Sequence, residues 1–413
     1  MLTQGFLLLG VAVALISAFF IKFYICDAYR IPAVSLYVIL GVLASVLISQ
    51  LLEFPLLEKL EHLEFISKLA LGLIAFIIGS ELDKKVILAL GKSILYIAFF
   101  EAFITFVLVT GSLLFFFPQF PSYYAIILGA VASATAPAAT VSVIRQYKAR
   151  GPLTSTIMGV VGIDDAISLI IYVFASIFAS HMLLPSADAS QSTLLLILKP
   201  FISIALSALV GGGVGYLYVL SLKKIRDNEI ILMAVFGFIL LLLGISEILH
   251  ISELLTIMVF GAVLANTNAF VTSRAKQNLE NLSPLLLPLF FIFAGARLDV
   301  SLIGAIGILG LVYTLTRMVG KVGGAYLGAV LGKATPTVKK LIGFSLIPQV
   351  GVAVALALAV DHQFGKHSVY GAPGIALATI VINVLLFTTL ITEVIGPLLT
   401  RFALKKAGEI DPS

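Results

Sequence analysis

The chain reads as a series of long apolar runs separated by short polar connections. A helix rises 1.5 Å per residue, so a run of about twenty apolar residues is long enough to cross a hydrocarbon layer of roughly 30 Å. Thirteen such segments are predicted, at residues 2–25, 33–52, 65–82, 93–117, 123–144, 153–180, 194–222, 230–248, 251–265, 285–297, 302–331, 341–360 and 373–399. The ninth and tenth are short for a span. The pattern predicts an all-α polytopic membrane protein of one integral domain, 1–413, with no stretch left over for a second folded unit.

Composition agrees with this class. Of 413 residues, 60% are hydrophobic and 11% charged, against about 25% charged in a soluble domain. Cys26 is the only cysteine, so no internal disulfide is available. The leading residues lack a basic region and continue as a span, so no cleavable signal is expected. A formal charge of +5 could suggest a nucleic-acid partner, but the placement of the charges excludes that reading. With the amino terminus outside, nineteen of the 26 Lys and Arg fall in cytoplasmic connections, including Lys84-Lys85, Arg145 to Arg150, Lys223-Lys224 and Lys339-Lys340. The positive-inside rule therefore orients the chain with its carboxyl terminus in the cytoplasm and predicts a lipid bilayer as its surroundings.

The spans also repeat. Gly79-Ser80-Glu81-Leu82-Asp83 ends the third, and Gly295-Ala296-Arg297-Leu298-Asp299 ends the tenth. The fifth contains Thr135-Ala136-Pro137, and the twelfth Ile347-Pro348-Gln349. Seven spans separate equivalent elements, an odd number, so two halves of six spans must be inverted relative to each other. Inverted repeats whose interrupted helices meet at the membrane midplane are an architecture of secondary transporters.

Candidate chemistry lies where charge interrupts these runs. Asp164 and Asp165 sit in the middle of 153–180, where each ionised carboxylate costs roughly 2.5 kcal/mol or more unless water, a cation or a counter-charge meets it. Adjacent residues point about 100° apart on a helix. One carboxylate can therefore face an ion path while the other meets a counter-charge, and the two titrate as a coupled pair. In the fifth span Pro137 frees carbonyls near Ser133, which with the Ser133 and Thr135 hydroxyls are oxygen ligands suited to an alkali cation; Pro348 is the equivalent break. Arg317 and Lys321 lie four residues apart in the eleventh span and need acidic partners. The expected pairs are Lys321 with Asp164 and, as a structural ion pair, Arg317 with Glu101. Lysine can give up its proton when buried and arginine cannot, so Lys321 carries the functional reading. His62, His181, His250, His362 and His367 fall in or beside outer loops and are read as surface residues.

At these residues the chain resembles the monovalent cation/proton antiporter superfamily, in its branch of bacterial electrogenic sodium/proton antiporters. Arg30-Ile31-Pro32-Ala33-Val34 is similar to the family's first conserved segment, and Leu285 to Phe291 followed by Gly295 to Asp299 to its mid-chain motif. The resemblance implies a homodimer in which a core, about 93–180 and 302–399, slides like an elevator against a dimerisation scaffold, about 1–82 and 230–297, with 194–222 as linker helix. It implies Asp165 as the cation- and proton-binding carboxylate, Asp164 paired with Lys321, and Thr135 at the crossing of the broken helices. The adjacent Asp-Asp pair accompanies electrogenic exchange in this superfamily, and no cofactor is called for.

The expected activity is exchange of Na+ or Li+ for protons across the inner (plasma) membrane of the cell, serving pH homeostasis. A K+/H+ antiporter on the same scaffold is the alternative. Two remoter classes fit the residues less well. An intramembrane aspartyl protease needs two aspartates converging from separate helices, which adjacent residues cannot supply. A passive channel is disfavoured by the duplicated breaks and the buried lysine.

Overall fold

A computed structural model describes residues 2–26, 33–52, 64–85, 91–183, 193–222, 227–249, 251–296, 303–365 and 368–410. Among them every regular element is a helix. In chain order these are α1 (Leu2–Phe20, continued by a π-helical turn, Ile21–Cys26), α2 (Ala33–Leu52), α3 (Glu64–Glu81), α4 (Gly91–Phe116), α5 (Ser122–Ala132), α6 (Pro137–Gln146), α7 (Pro152–Leu183) and α8 (Thr193–Leu222). They continue as α9 (Asn228–Leu249), α10 (Glu253–Thr267), α11 (Ala269–Ala296), α12 (Ile303–Leu331), α13 (Pro336–Leu341, running into a 3-10 turn, Ile342–Leu346), α14 (Gly351–Phe364) and α15 (Gly371–Lys406). Among the described residues eight helices are long and apolar enough to cross a bilayer, and the pair Pro336–Leu346 and Gly351–Phe364, bent by 47°, adds a ninth candidate.

Each expected segment falls on helix, and three differ in form, the twelfth being the bent pair just described. The tenth is not a short run at 285–297 but the second half of a 28-residue helix, α11. Its first half is amphipathic: Val271, Ala275 and Leu279 are buried at four-residue spacing, while Gln277, Glu280 and Asn281 face outward. The polar face made that half look like a loop. Pro284 and Pro288 sit inside this helix without ending it; in tightly packed membrane helices neighbours can re-satisfy the carbonyls that a proline frees. The fifth segment is two helices, α5 and α6, separated by Ser133 to Ala136.

Glycines show how the halves join. A Cβ at Gly41 on α2 would lie 2.0 Å from the Ile292 carbonyl oxygen on α11, and one at Gly295 would lie 2.1 Å from that of Val38. The same joint recurs between α3 and α10, where a Cβ at Gly79 would lie 2.0 Å from Met258 O and one at Gly261 2.6 Å from Phe76 O. The repeat that relates Gly79 to Gly295 also relates Gly41 to Gly261. It therefore exchanges one joint with the other, as a two-fold axis would. Of the repeated motif's second copy, Arg297 to Asp299 lies outside the described residues, as do Arg30 to Pro32.

The third pairing is α4 against α12. Gly320, Gly324, Gly328 and Gly332 abut Thr105, Glu101, Ile97 and Ser93 in turn, with built Cβ atoms 2.6 to 2.7 Å from the Cα atoms opposite. Numbers rise on one helix as they fall on the other, so the two run antiparallel with their backbones in contact. Alanine or anything larger would force them apart.

The two interrupted helices touch at their breaks. Ala136 N donates to Pro348 O at 2.9 Å, and Thr140 Oγ1 donates to Ser345 O at 2.8 Å. Around this crossing pack α4, α7, α12 and α15, and every polar group freed by the breaks must find a partner there.

Candidate ion-binding site

The peptide groups come first. A helix that stops leaves carbonyls without intrahelical donors. At the crossing these are taken by cations from α12. Arg317, fully buried, donates from Nε to Ala132 O at 3.0 Å, from Nη1 to Ile347 O at 2.5 Å and from Nη2 to Ala134 O at 2.8 Å, with Pro348 O at 3.5 Å. One planar guanidinium thus joins both breaks, which a lysine's compact ammonium could not do. Gln349 Nε2 adds bonds to Val131 O and Tyr313 Oη, each at 3.0 Å.

One turn further along α12, the Lys321 ammonium lies 2.6 Å from Glu101 Oε2 on α4 and donates to Thr135 Oγ1 at 2.8 Å and to the Ser133 carbonyl. Glu101, Lys321 and Asp164 are all completely buried. Only Thr135 and Ser133 accept hydrogen bonds from the ammonium: both Glu101 carboxylate oxygens are buried and accept none among the described residues, so Glu101 meets it as an ion pair. Asp164 Oδ2, 3.6 Å from Nζ, likewise feels the charge without receiving a hydrogen bond. Both Asp164 oxygens and Asp165 Oδ1 are buried and accept no hydrogen bond among the described residues. Asp165, next on α7, is half-buried.

The expected pair of Arg317 with Glu101 does not form. Antiparallel packing puts Glu101 opposite Gly324, three residues from Lys321 and seven from Arg317. The nearer cation wins the carboxylate, and Arg317 is left facing the breaks. The repeat does relate position 101 to position 317, but equivalence in a repeat is not contact. The freed carbonyls, expected as cation ligands, are engaged by Arg317 and Lys321 instead. Ser133 Oγ bonds Ala130 O at 2.6 Å, and Thr135 Oγ1 receives Lys321. Pro137 opens α6 and Pro348 lies in the second break. Gln349 had no assigned role in the sequence, although an amide directly after the proline of a helix break is placed to cap what the break frees. His62, His250 and His367 lie outside the described residues.

A buried carboxylate without donors costs several kcal/mol as a bare ion. The arrangement can therefore do one kind of chemistry well: hold a proton or a small cation at Asp164 and Asp165, with Lys321 setting the local charge. Among the described residues no group of three or more His, Cys, Asp or Glu converges as a metal-binding cluster.

The family model for the sodium/hydrogen exchanger, transmembrane, matches residues 14–406, and the chain belongs to that family, one of transporters and not of enzymes. Relatives include a K(+)/H(+) antiporter subunit of Bacillus subtilis, 24% identical over 62% of this chain, a match that spans 62% of that protein, less than two thirds of its length. A Na(+)/H(+) antiporter of Enterococcus hirae is 23% identical over 68% of this chain and 70% of its own. In fold the chain is similar to the sodium proton antiporter MjNhaP1 from Methanocaldococcus jannaschii, with a TM-score of 0.74 over 98% of each chain at 19% identity.

Proposed function

We propose that the protein exchanges Na+ or Li+ for protons, with Asp165 and Asp164 as the shared binding groups. The observation that carries this reading is Asp164: fully buried, without a hydrogen-bond donor among the described residues, and 3.6 Å from a lysine whose ammonium also meets Glu101. Sodium and protons compete for the pair, and either neutralises charge that would otherwise bar the site from crossing an apolar barrier. Lys321 offsets part of that charge throughout the cycle, with Glu101 holding it in place.

Movement follows an elevator scheme: a core of 93–180 and 302–399 carries the site against a scaffold of 1–82 and 230–297, with 194–222 linking the two. The packing supports this division, because α4, α5, α7 and α12 gather around the crossing while glycine joints lock α2 to α11 and α3 to α10. Two such chains form a dimer in the inner membrane, amino terminus outside. Exchanging two protons for one sodium moves one net charge, which at 100 mV is worth about 2.3 kcal/mol, roughly a fifty-fold sodium gradient. A potassium/proton exchanger is the second reading, supported by the Bacillus relative.

The test is sodium-driven proton movement in liposomes for the wild type and Asp165→Asn, with voltage clamped and then free, repeated with potassium. Exchange that vanishes in the variant and responds to voltage supports the proposal. Exchange that survives Asp165→Asn places the site elsewhere, voltage-indifferent exchange removes the two-proton stoichiometry, and preference for potassium selects the second reading.

A further inference from the structure

The helix that carries both aspartates begins without a cap of its own. Its first residue, Pro152, has no N–H, and the residue before it, Gly151, has no side chain to offer. The helical ladder starts with Ser155 N donating to Gly151 O at 3.0 Å. That leaves the amides of Leu153 and Thr154 without partners inside the helix.

Both are taken by one residue far along the chain. Leu153 N donates to Glu409 Oε1 and Thr154 N to Glu409 Oε2, each at 2.7 Å, and Thr154 Oγ1 donates to the same Oε2 at 2.6 Å. A carboxylate here also meets the positive end of the helix dipole. Space is reserved for it, since a Cβ at Gly151 would lie 2.3 Å from Glu409 Cδ.

The surrounding structure holds Glu409 in this position. After α15 the chain turns through Ala407 and Gly408, whose φ of 72° favours glycine. Gly408 N and Glu409 N then bond back to Lys405 O and Leu404 O, each at 3.1 Å. Arg150 N donates to Glu409 O at 3.2 Å, Ile410 is buried in a cluster with Ala149, Leu153 and Leu404, and the Arg401 guanidinium lies 4.9 Å above the Tyr147 ring. The segment following α15 is thus seated on the connection between α6, one half of a broken helix, and α7.

We propose that Glu409 is a positioning residue for transport: it caps α7 from across the fold and fixes that helix, and hence Asp164 and Asp165, in register with Lys321. The effect on transport rests on the antiport reading above; the cap itself does not. Without Glu409 the first turn of α7 frays and the carboxylates lose their fixed place.

The test combines two measurements on the full-length protein. Amide hydrogen exchange of the segment starting at Leu153 reads the cap without any transport. Sodium-driven exchange in liposomes reads the site. Glu409→Ala is expected to lose protection at Leu153 and Thr154 and to raise the half-saturating sodium concentration roughly fivefold, about 1 kcal/mol, with the maximal rate changed less than twofold. Glu409→Gln, which keeps one acceptor oxygen, should fall between. If Glu409→Ala does not fold, Thr154→Val removes only the hydroxyl bond and should shift half-saturation in the same direction, by less; no shift there overturns the proposal. Unchanged exchange at Leu153 and Thr154 overturns the cap. Lost protection with unchanged half-saturation, or with only the maximal rate reduced, leaves a structural cap and overturns the positioning role. A wild type that moves neither sodium nor potassium counts against the antiport reading, and the exchange measurement still decides the cap.

Discussion

Replacing Arg317 by methionine tests whether this side chain serves the helix breaks or a carboxylate. The substitution keeps most of the buried volume and removes the donors to Ala132 O, Ala134 O and Ile347 O, at 3.0, 2.8 and 2.5 Å. Each buried carbonyl left unpaired costs about 1–3 kcal/mol, so three amount to roughly 3–9 kcal/mol, reduced because a charged guanidinium no longer has to be desolvated. With on the order of 2 °C per kcal/mol, the expected fall in Tm is about 5–10 °C. The assay is a circular-dichroism melt of the detergent-solubilised protein at fixed scan rate. Arg317→Lys should recover part of the loss, because one ammonium cannot span both breaks. The decisive comparison is a pair of double-mutant cycles. Arg317→Met and Glu101→Gln should lower Tm nearly additively, whereas Lys321→Met and Glu101→Gln should be strongly non-additive across their 2.6 Å contact. Coupling between Arg317 and Glu101 as large as that between Lys321 and Glu101 would refute the reasoning, as would Arg317→Met melting like the wild type.

Three further outcomes are expected. Gly324→Ala should lower Tm because its Cβ would meet Phe100 O at 2.5 Å, while its neighbour Gly323→Ala, with nothing within 4 Å, should leave Tm unchanged or slightly raised; equal effects would argue against the α4–α12 contact. If Asp164 and Asp165 are the proposed exchanging pair, Asp164→Asn leaves one carboxylate, and exchange that persists should lose its voltage dependence, read as charge movement on a supported membrane. If protons and sodium compete as proposed, half-saturating sodium should rise as pH falls, by up to about tenfold per unit for each competing proton, with the maximal rate constant; a falling maximal rate at constant half-saturation would contradict shared binding groups.

Much of this was legible in the sequence because membrane burial makes charge conspicuous. Asp164, Asp165, Lys321, Glu101 and Arg317 stand out in apolar runs, and proline with small residues marks both breaks. The repeat was readable from two short motifs. What could not be read was partner choice, which depends on the rotation of α12 against α4, set by the face that carries Gly320, Gly324 and Gly328, and on which of the evenly spaced registers the pair takes. Sequence spacing alone paired Arg317 with Glu101; the antiparallel register gave Glu101 to Lys321. The first half of α11 was hidden for a different reason: a helix that packs one stripe and exposes the rest has too little mean hydropathy to look like a span. Glu409 gave no signal at all, since a cap contributed from 255 positions away leaves at the helix start only a glycine and a proline.

The glycines of α12 recur every four residues, and this has a consequence for how the helix pair knows its place. Sliding α4 by one turn, about 6 Å, would carry its residues into equivalent notches and meet nearly the same backbone surface. Close packing therefore makes the pair tight without making it unique. Uniqueness comes from a polar contact that does not repeat, Glu101 against Lys321. In that sense the buried charges act as an index mark on an otherwise evenly graduated scale. They select the single setting in which Lys321 lies beside Asp164 and Arg317 lies across both breaks.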